Sequence, residues 1–342
     1  MGSGGRGPGW RDEAASALLV RHLPSLRPRG PVLVMEDPLE EVIHRLAGAG
    51  VEVVDWRRRA LGGRRATPWP PEGPFGTVAL RMPRAKDELA MALHGAAGAL
   101  APGGRVLVYG AKDEGINSVA RHLEPLFERV ETVGVGGHCR VLSATVRSPL
   151  RDLRGRLEDW REVGTLEHGE MRKAWVSYPG VFAHGRLDPG TRLLLGALPT
   201  LPGDAGILDY GCGAGAVAAM ARHLYPKVRL ALMDIDAVAL EAARENVPGA
   251  RLLLGDGITV PGDGPFDAVF SNPPFHRGKA EEPGMILRLI REAPSVLHKR
   301  GGLVLVAQRR ISLEEALGGA FKRVGVRAEN GAFRVWEGWE PR

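Results

Sequence analysis

The residues Ser271-Asn272-Pro273-Pro274-Phe275-His276 follow a short apolar run, P-F-D-A-V-F. An amide, two prolines and an aromatic make an unusual end for a buried strand. Two prolines remove two backbone donors and fix two φ angles, and each pushes the residue before it out of the helical region. The chain here is stiff and short of N–H groups, with nothing local to bond its carbonyls or the Asn272 amide. That is a poor way to build a core and a good way to hold a ligand. The chemistry it fits is transfer to a weakly nucleophilic amine whose lone pair is delocalised into a ring. Such an amine, facing an electrophile that is already activated, needs no strong base. It needs an in-line approach and acceptors that gather its protons. The Asn272 side-chain oxygen and the Pro273 carbonyl are two such acceptors. Pro274 keeps them from drifting, and Phe275 offers a face for a base drawn from its stack. Taken alone, Phe275 reads as an ordinary buried aromatic; beside N-P-P at a strand end, stacking is the better reading. His276 reads either as a phosphate or base contact or as a polar loop residue.

A second motif, L-D-Y-G-C-G-A-G-A (208–216), joins a strand to a helix. Its glycines, Gly211, Gly213 and Gly215, permit a tight turn and a close ligand approach, and the helix that follows has free N–H groups. A plain glycine-rich turn would look the same. Gly211, Gly213 and Ala216 also satisfy the dinucleotide fingerprint G-x-G-x-x-G/A. Asp209 argues against that, because a carboxylate there suits a cationic amine and repels a pyrophosphate. Asp234 closes the next strand, where a carboxylate can accept both ribose hydroxyls, while Asp236 suits a helix N-cap. Asp256, in G-D-G, reads equally as an acceptor for an adenine amine or as an Asp-Gly turn. Three acids on successive strand ends say more than any one of them.

The elements that position these residues occur twice. F-E-R-V-E-T-V-G-V-G-G-H-C-R-V (127–141) matches F-K-R-V-G-V-R-A-E-N-G-A-F-R-V (321–335) without a gap. G-P-F-G-T-V-A-L-R-M-P-R (73–84) matches G-P-F-D-A-V-F-S-N-P-P-F (264–275), and L-A-P-G-G-R-V-L-V matches L-H-K-R-G-G-L-V-L-V. Three blocks in one order predict a single architecture used twice. In the second half, strands are expected at 207–210, 229–234, 251–256, 267–272 and 303–307, with helices at 214–225, 237–246, 282–298 and 313–320 between them. A hairpin is expected at 321–328 and 332–337. The first half repeats the order at 31–35, 51–54, 77–81, 104–109, 129–135 and 138–146. This alternation predicts α/β domains, each a mainly parallel seven-stranded sheet with an antiparallel edge hairpin. The expected organisation is a tail and first helix over 1–30, a first domain over 31–148, a connector over 149–170 and a second domain over 171–342.

The 342 residues, 44% hydrophobic and 25% charged, are of ordinary globular composition. No apolar run reaches the length of a membrane span. The N-terminus, M-G-S-G-G-R-G-P-G-W, is not a signal peptide. Cys139 and Cys212 cannot build a disulfide framework, and neither has a partner at zinc-site spacing, so a reducing cytoplasm and no metal are expected. The net charge of +6 arises from 46 basic residues, of which 39 are arginine. This permits a phosphate-rich partner, with R57-R-R59, R64-R65, K299-R300, R309-R310 and K322-R323 as candidate phosphate contacts.

With those residues in view, D-Y-G-C-G-A-G, the acid at 234, G-D-G at 256 and N-P-P-F at 272–275 resemble a class I S-adenosylmethionine-dependent methyltransferase acting on an exocyclic or amide nitrogen. P-G-V-F-A-H-G-R-L-D-P-G-T-R-L-L-L (179–195), S-N-P-P-F-H-R-G (271–278) and F-R-V (333–335) are similar to the ribosomal RNA small-subunit methyltransferase C family and its large-subunit relative. M-P-R-A-K-D-E-L (82–89) and G-A-K-D-E-G-I-N-S (110–118) resemble that family's amino-terminal domain. The resemblance implies two tandem Rossmann-like domains, N2-methylguanine as product and S-adenosylmethionine as cofactor. It assigns the cofactor to Asp209, Gly211, Cys212, Gly213, Gly215, Asp234, Ile235, Asp256, Gly257 and Asn272, and it places Phe182 near the cofactor, where a core role is the rival reading. Chemistry falls to Asn272, Pro273, Pro274 and Phe275. The sequence differs from the family pattern at V-A-Q-R-R-I (306–311).

In the first half, V-L-V-M-E-D-P-L-E (32–40) stands in place of the glycine motif and L-R-M-P-R (80–84) in place of S-N-P-P-F. That half is expected to bind no cofactor and to do no chemistry. Arg81, Arg84 and Lys86, with His276 and Arg277 of the second half, are the expected contacts to RNA. The expected partner is ribosomal RNA within the small subunit, met by a monomer in the cytoplasm. Large-subunit guanine, adenine N6, a protein glutamine amide and non-enzymatic RNA binding are the competing readings.

Overall fold

The computed structural model describes residues 9–258, 265–273, 276–277, 280–281 and 284–342. The chain divides into two compact units, Met1–Arg58 with Thr67–Trp160 and Arg59–Ala66 with Arg161–Arg342. The first contains α1 (Trp10–Leu26), β1 (Val32–Met35), α2 (Glu41–Ala47), β2 (Val53–Trp56), β3 (Phe75–Arg81), α3 (Lys86–Ala99), β4 (Leu100–Ala111), α4 (Val119–Leu123), β5 (Phe127–Gly136) and β6 (Cys139–Val146). Its sheet has the order β2-β1-β3-β4-β6-β5. The strands from β2 to β4 are parallel, and β6 runs antiparallel to both β4 and β5. β1 is buried along its whole length, as a strand covered on both faces must be.

The second unit begins with a hairpin, β7 (Glu162–His168) and β8 (Met171–Ser177), followed by α5 (Pro189–Leu195), β9 (Gly206–Tyr210), α6 (Ala216–Leu224), β10 (Arg229–Asp234), α7 (Ala237–Asn246), β11 (Arg251–Leu254) and β12 (Phe266–Ser271). Then come the short pair β13 (His276–Arg277) and β14 (Ala280–Glu281), α8 (Gly284–Glu292), β15 (Leu297–Gln308), α9 (Glu314–Ala320), β16 (Phe321–Glu329) and β17 (Phe333–Pro341). The main sheet has the order β11-β10-β9-β12-β15-β17-β16. Apolar clusters lie on its two faces, one including Ile207, Leu232 and Phe270, the other Leu208, Met233 and Val269. These are neighbouring residues on the same strands, and successive side chains of a strand point to opposite faces.

The duplication extends to an irregularity in the pairing. In the first sheet the register between β3 and β4 jumps from Phe75↔Leu100 to Thr77↔Arg105. In the second, between β12 and β15, it jumps from Phe266↔Leu297 to Ala268↔Gly302. The same step at the same place explains why the L-A-P-G-G and L-H-K-R-G-G blocks match.

Two expectations are corrected. The first sheet has six strands among the described residues, not seven, because residues 57–74, where the repeat calls for a third strand, form none. The connector drawn over 149–170 contains β7, whose mostly exposed run E-V-G-T-L-E-H alternates too weakly to mark its pairing with β8. At the start of the first sheet, Glu36 takes the left-handed φ of 61° where the second half uses glycine. Arg57 and Arg58 are 6% and 1% exposed. They are held by Asp55 and Glu88, which removes both from the candidate phosphate contacts.

Arg81 is also not an RNA contact. It is 5% exposed and pairs with Asp12 at 2.7 Å and Glu114 at 2.8 Å. The arginine that replaced the amide acceptor of the other half now joins α1 to the loop after β4. Arg84 and Lys86 are exposed. Removing one partner of a buried ion pair strands the other charge. Arg81→Met should therefore cost about 3 kcal/mol of unfolding free energy in a urea titration, with cofactor affinity unchanged.

Candidate cofactor and amine site

Strand register builds the site. β9 pairs with β10 through Tyr210↔Met233, β10 with β11 through Asp234↔Leu254, and β12 with β9 through Ser271↔Tyr210. The Ser271 hydroxyl donates to the Tyr210 carbonyl at 2.7 Å and ties the last pair together. Gly211, Asp234, Asp256 and Asn272 therefore emerge at one carboxyl edge, where an open parallel sheet binds its ligands.

The glycine turn is required by its backbone. Gly211, Gly213 and Gly215 have φ values of 69°, 53° and 89°, a region that side chains rarely allow. A Cβ on Gly211 would enter open space, whereas one on Gly215 would meet Val247 at 2.9 Å. The first of these glycines thus leaves the backbone bare to a ligand and the last lets α6 and α7 pack closely. The N–H groups of Gly211 and Cys212 bond the Met233 carbonyl at 2.8 and 3.0 Å. That of Gly213 donates to Asp234 Oδ2 at 2.8 Å. The other oxygen of Asp234 accepts from the Asp236 N–H at 2.9 Å. Asp236 caps α7 through the N–H groups of Val238 and Ala239, as expected.

Gly211, Gly213, Asp234, Ile235, Asp256, Asn272 and Pro273 line one cavity of about 670 Å³, a volume typical of small-molecule sites. A smaller cavity is lined by Asp209, Cys212 and again Asn272. Asp209 is 1% exposed and lies beneath the turn, where it accepts from the Ala218 N–H at 3.0 Å. Gly257 lies against the Arg288 guanidinium. Phe182 is 58% exposed and borders both cavities, so the core reading fails. Pro274 and Phe275 lie outside the described residues. His276 and Arg277 are placed by backbone alone, paired with β14.

The geometry at Asn272 identifies residues that had drawn no individual notice. Its Nδ2 donates to Asp188 Oδ2 at 3.1 Å and to Thr191 Oγ1 at 2.7 Å. A carboxylate only accepts, so the amide nitrogen must face it and the oxygen must face away. That oxygen is buried without a hydrogen-bond partner among the described residues. Asp188 is itself fixed as the N-cap of α5, accepting from the Thr191 N–H at 3.0 Å. The signal was D-P-G-T, a helix start with proline at its first position. The segment Arg59–Ala66, whose arginines read from sequence as candidate phosphate contacts, also belongs to this site: Arg59 and Leu61 line the larger cavity, and Arg59 pairs with Asp236.

The Asp234 carboxylate at the end of β10, a bare glycine turn and an acceptor with no partner among the described residues fit S-adenosylmethionine. Fold and site together define a methyltransferase that uses this cofactor. The family model described as Methyltransferase small domain matches residues 173–337, and its N-terminal counterpart matches residues 16–162. The "Ribosomal RNA small subunit methyltransferase C" of Shewanella loihica is 33% identical, covering 77% of this chain and 76% of that protein. The one of Pseudomonas putida strain GB-1 is 32% identical, covering 90% and 94%. A T. thermophilus 16S rRNA N2 methyltransferase, solved with AdoMet and guanosine, superimposes with a TM-score of 0.81 at 20% identity, covering 95% of this chain and 91% of that one. The chain belongs to the ribosomal RNA small subunit methyltransferase C family.

Burial raises the Asp209 carboxyl to about 7 against the opposing Ala218 N–H. Burial and then the charge of Asp236 raise Asp234 to about 6. Both folded values exceed the unfolded ones, so their contribution to stability is present at about pH 4 and is lost as pH rises through 6 and 7. A ligand with a cation and hydroxyls prefers both groups ionised. The dissociation constant of S-adenosylmethionine should fall roughly tenfold between pH 5.5 and 7.5 by calorimetry. Asp209→Asn should flatten that profile and raise the melting temperature of the ligand-free protein at pH 8, with no gain near pH 4.

Proposed function

We propose that the protein transfers the methyl group of S-adenosylmethionine to N2 of a guanine in small-subunit (16S) ribosomal RNA, acting as a cytoplasmic monomer. The observation that carries this reading is the Asn272 amide, clamped through its nitrogen with its oxygen unpartnered among the described residues. Bound in the larger cavity, the cofactor supplies an electrophilic methyl group. The protein's own task is to hold the amine. Asn272 Oδ1 and the Pro273 carbonyl accept hydrogen bonds from its two N–H groups, which leaves the nitrogen lone pair facing the donor; as the N–C bond forms, one of those protons is lost to solvent. Asp234 takes the ribose hydroxyls, and Asp256 accepts from the adenine amine. Guanine is favoured by the names of the relatives and by the guanosine bound in the T. thermophilus neighbour. In the first unit, RNA phosphates are met by Arg84 and Lys86, a reading supported by their exposure, with Arg84 also 3.5 Å from Glu114.

Labelled cofactor offered with assembled small subunits, naked ribosomal RNA and protein, followed by nucleoside analysis, should yield N2-methylguanine in small-subunit RNA. N6-methyladenine, methylglutamine or label in large-subunit RNA would overturn that target. Asn272→Ala should lower kcat about a hundredfold. Thr191→Val should lower it about tenfold, with near-complete recovery in Thr191→Ser and unchanged cofactor affinity. Reversing the charges of Arg84 and Lys86 should raise KM for RNA and flatten its salt dependence, again without weakening cofactor binding.

A further inference from the structure

The second unit contains a piece of chain that its own half of the sequence does not supply. Arg59–Ala66 lies between β2 and β3 in sequence yet packs with the second unit. It occupies the stretch where the repeat places a third strand of the first sheet, and that sheet lacks one among its described residues. The segment is fastened at two points of the carboxyl edge. After β10, the Ala60 N–H donates to the Ile235 carbonyl at 2.8 Å. There Arg59 also bridges to Asp236, with their side chains 3.4 Å apart. After β11, the Gly62 N–H donates to Asp256 Oδ2 at 2.7 Å.

The sequence Leu61-Gly62-Gly63 suits this task. Gly62 and Gly63 have φ values of 63° and 73°, and a Cβ on either would meet nothing within 4 Å. Crowding does not explain these glycines; the turn that presents the Gly62 N–H does. Leu61 is 39% exposed and joins no apolar cluster, yet it lines the same cavity as Ile235 and Asp256. A carboxylate has room for several donors, so Gly62 holds one oxygen of Asp256 and leaves the other available.

We propose that Arg59–Gly63 is a component of the cofactor site, in which Leu61 supplies apolar cover at the adenosine end and the Gly62 N–H orients Asp256. This rests on the reading of the larger cavity as the S-adenosylmethionine site. The strap ties together the loops after β10 and β11, so the ligand and the docked strap favour each other. The effect falls on the adenosine portion. It is therefore equal for S-adenosylmethionine and S-adenosylhomocysteine, and it is absent from the methyl-transfer step.

The test uses the full-length protein and calorimetry with both ligands. Leu61→Ala is expected to weaken both by about fivefold, read in turnover as a matching rise in KM for the cofactor. Gly62→Pro, which removes the donor and cannot hold the φ of 63° that the turn needs, is expected to weaken both at least as much. In the wild type, amide exchange across residues 60–63 should slow when either ligand is added. Unchanged affinity in both variants, unchanged exchange, or a loss of kcat without a loss of affinity would overturn the proposal. If the wild type binds neither ligand, the reading of the cavity fails instead.

Discussion

An ionised carboxylate accepts hydrogen bonds and donates none, and the site is arranged around that fact. Asp188 caps α5, so its position is set by the helix, and it presents an oxygen to Asn272. The amide has no choice of orientation: its nitrogen turns toward Asp188 and Thr191, and its oxygen is left as an acceptor in a buried place. A buried acceptor without a partner is costly, and that cost is offset only when a donor arrives. The arrangement amounts to a stored preference for an N–H group. The stiff N-P-P backbone, the register of β12 on β9 and the Ser271 bond to Tyr210 keep that preference at a fixed point on the sheet edge.

The two halves show how one architecture diverges by filling or emptying the same edge. In the second half, three left-handed glycines clear the space beside β9. In the first, Glu36 takes the turn, while Arg57 and Arg58 are buried among acids nearby. Arg81 stands where the repeat puts the amide acceptor, and it is satisfied by Asp12 and Glu114. The first sheet has no third strand among its described residues, and Arg59–Ala66, from the stretch where the repeat places one, packs with the second unit.

Much of this was legible in the sequence, and for identifiable reasons. Strands buried on both faces are unbroken apolar runs, so β1, β9, β10 and β12 stood out. The repeats marked both edge hairpins. Asp236 read correctly as a cap because capping is a local matter between a side chain and the next two or three N–H groups. What was not legible depends on pairing at long range. β7 and β8 alternate too weakly to mark a hairpin. Arg81 resembled a surface cation because sequence does not reveal that Asp12 and Glu114 converge on it. The role of Asp188 requires knowing that α5 begins beside β12. The strap at 59–63 reads as a basic loop until its partners, Ile235, Asp236 and Asp256, are seen.

The account is tested most directly by a crystal structure of the protein with guanosine and an unreactive cofactor analogue. It predicts the guanine N2 within about 2.7–3.2 Å of Asn272 Oδ1, the amide nitrogen still on Asp188 and Thr191, and the analogue on the carboxyl edge of the second sheet. An amide rotated to present its nitrogen to the base, or an analogue seated on the first sheet, would contradict it.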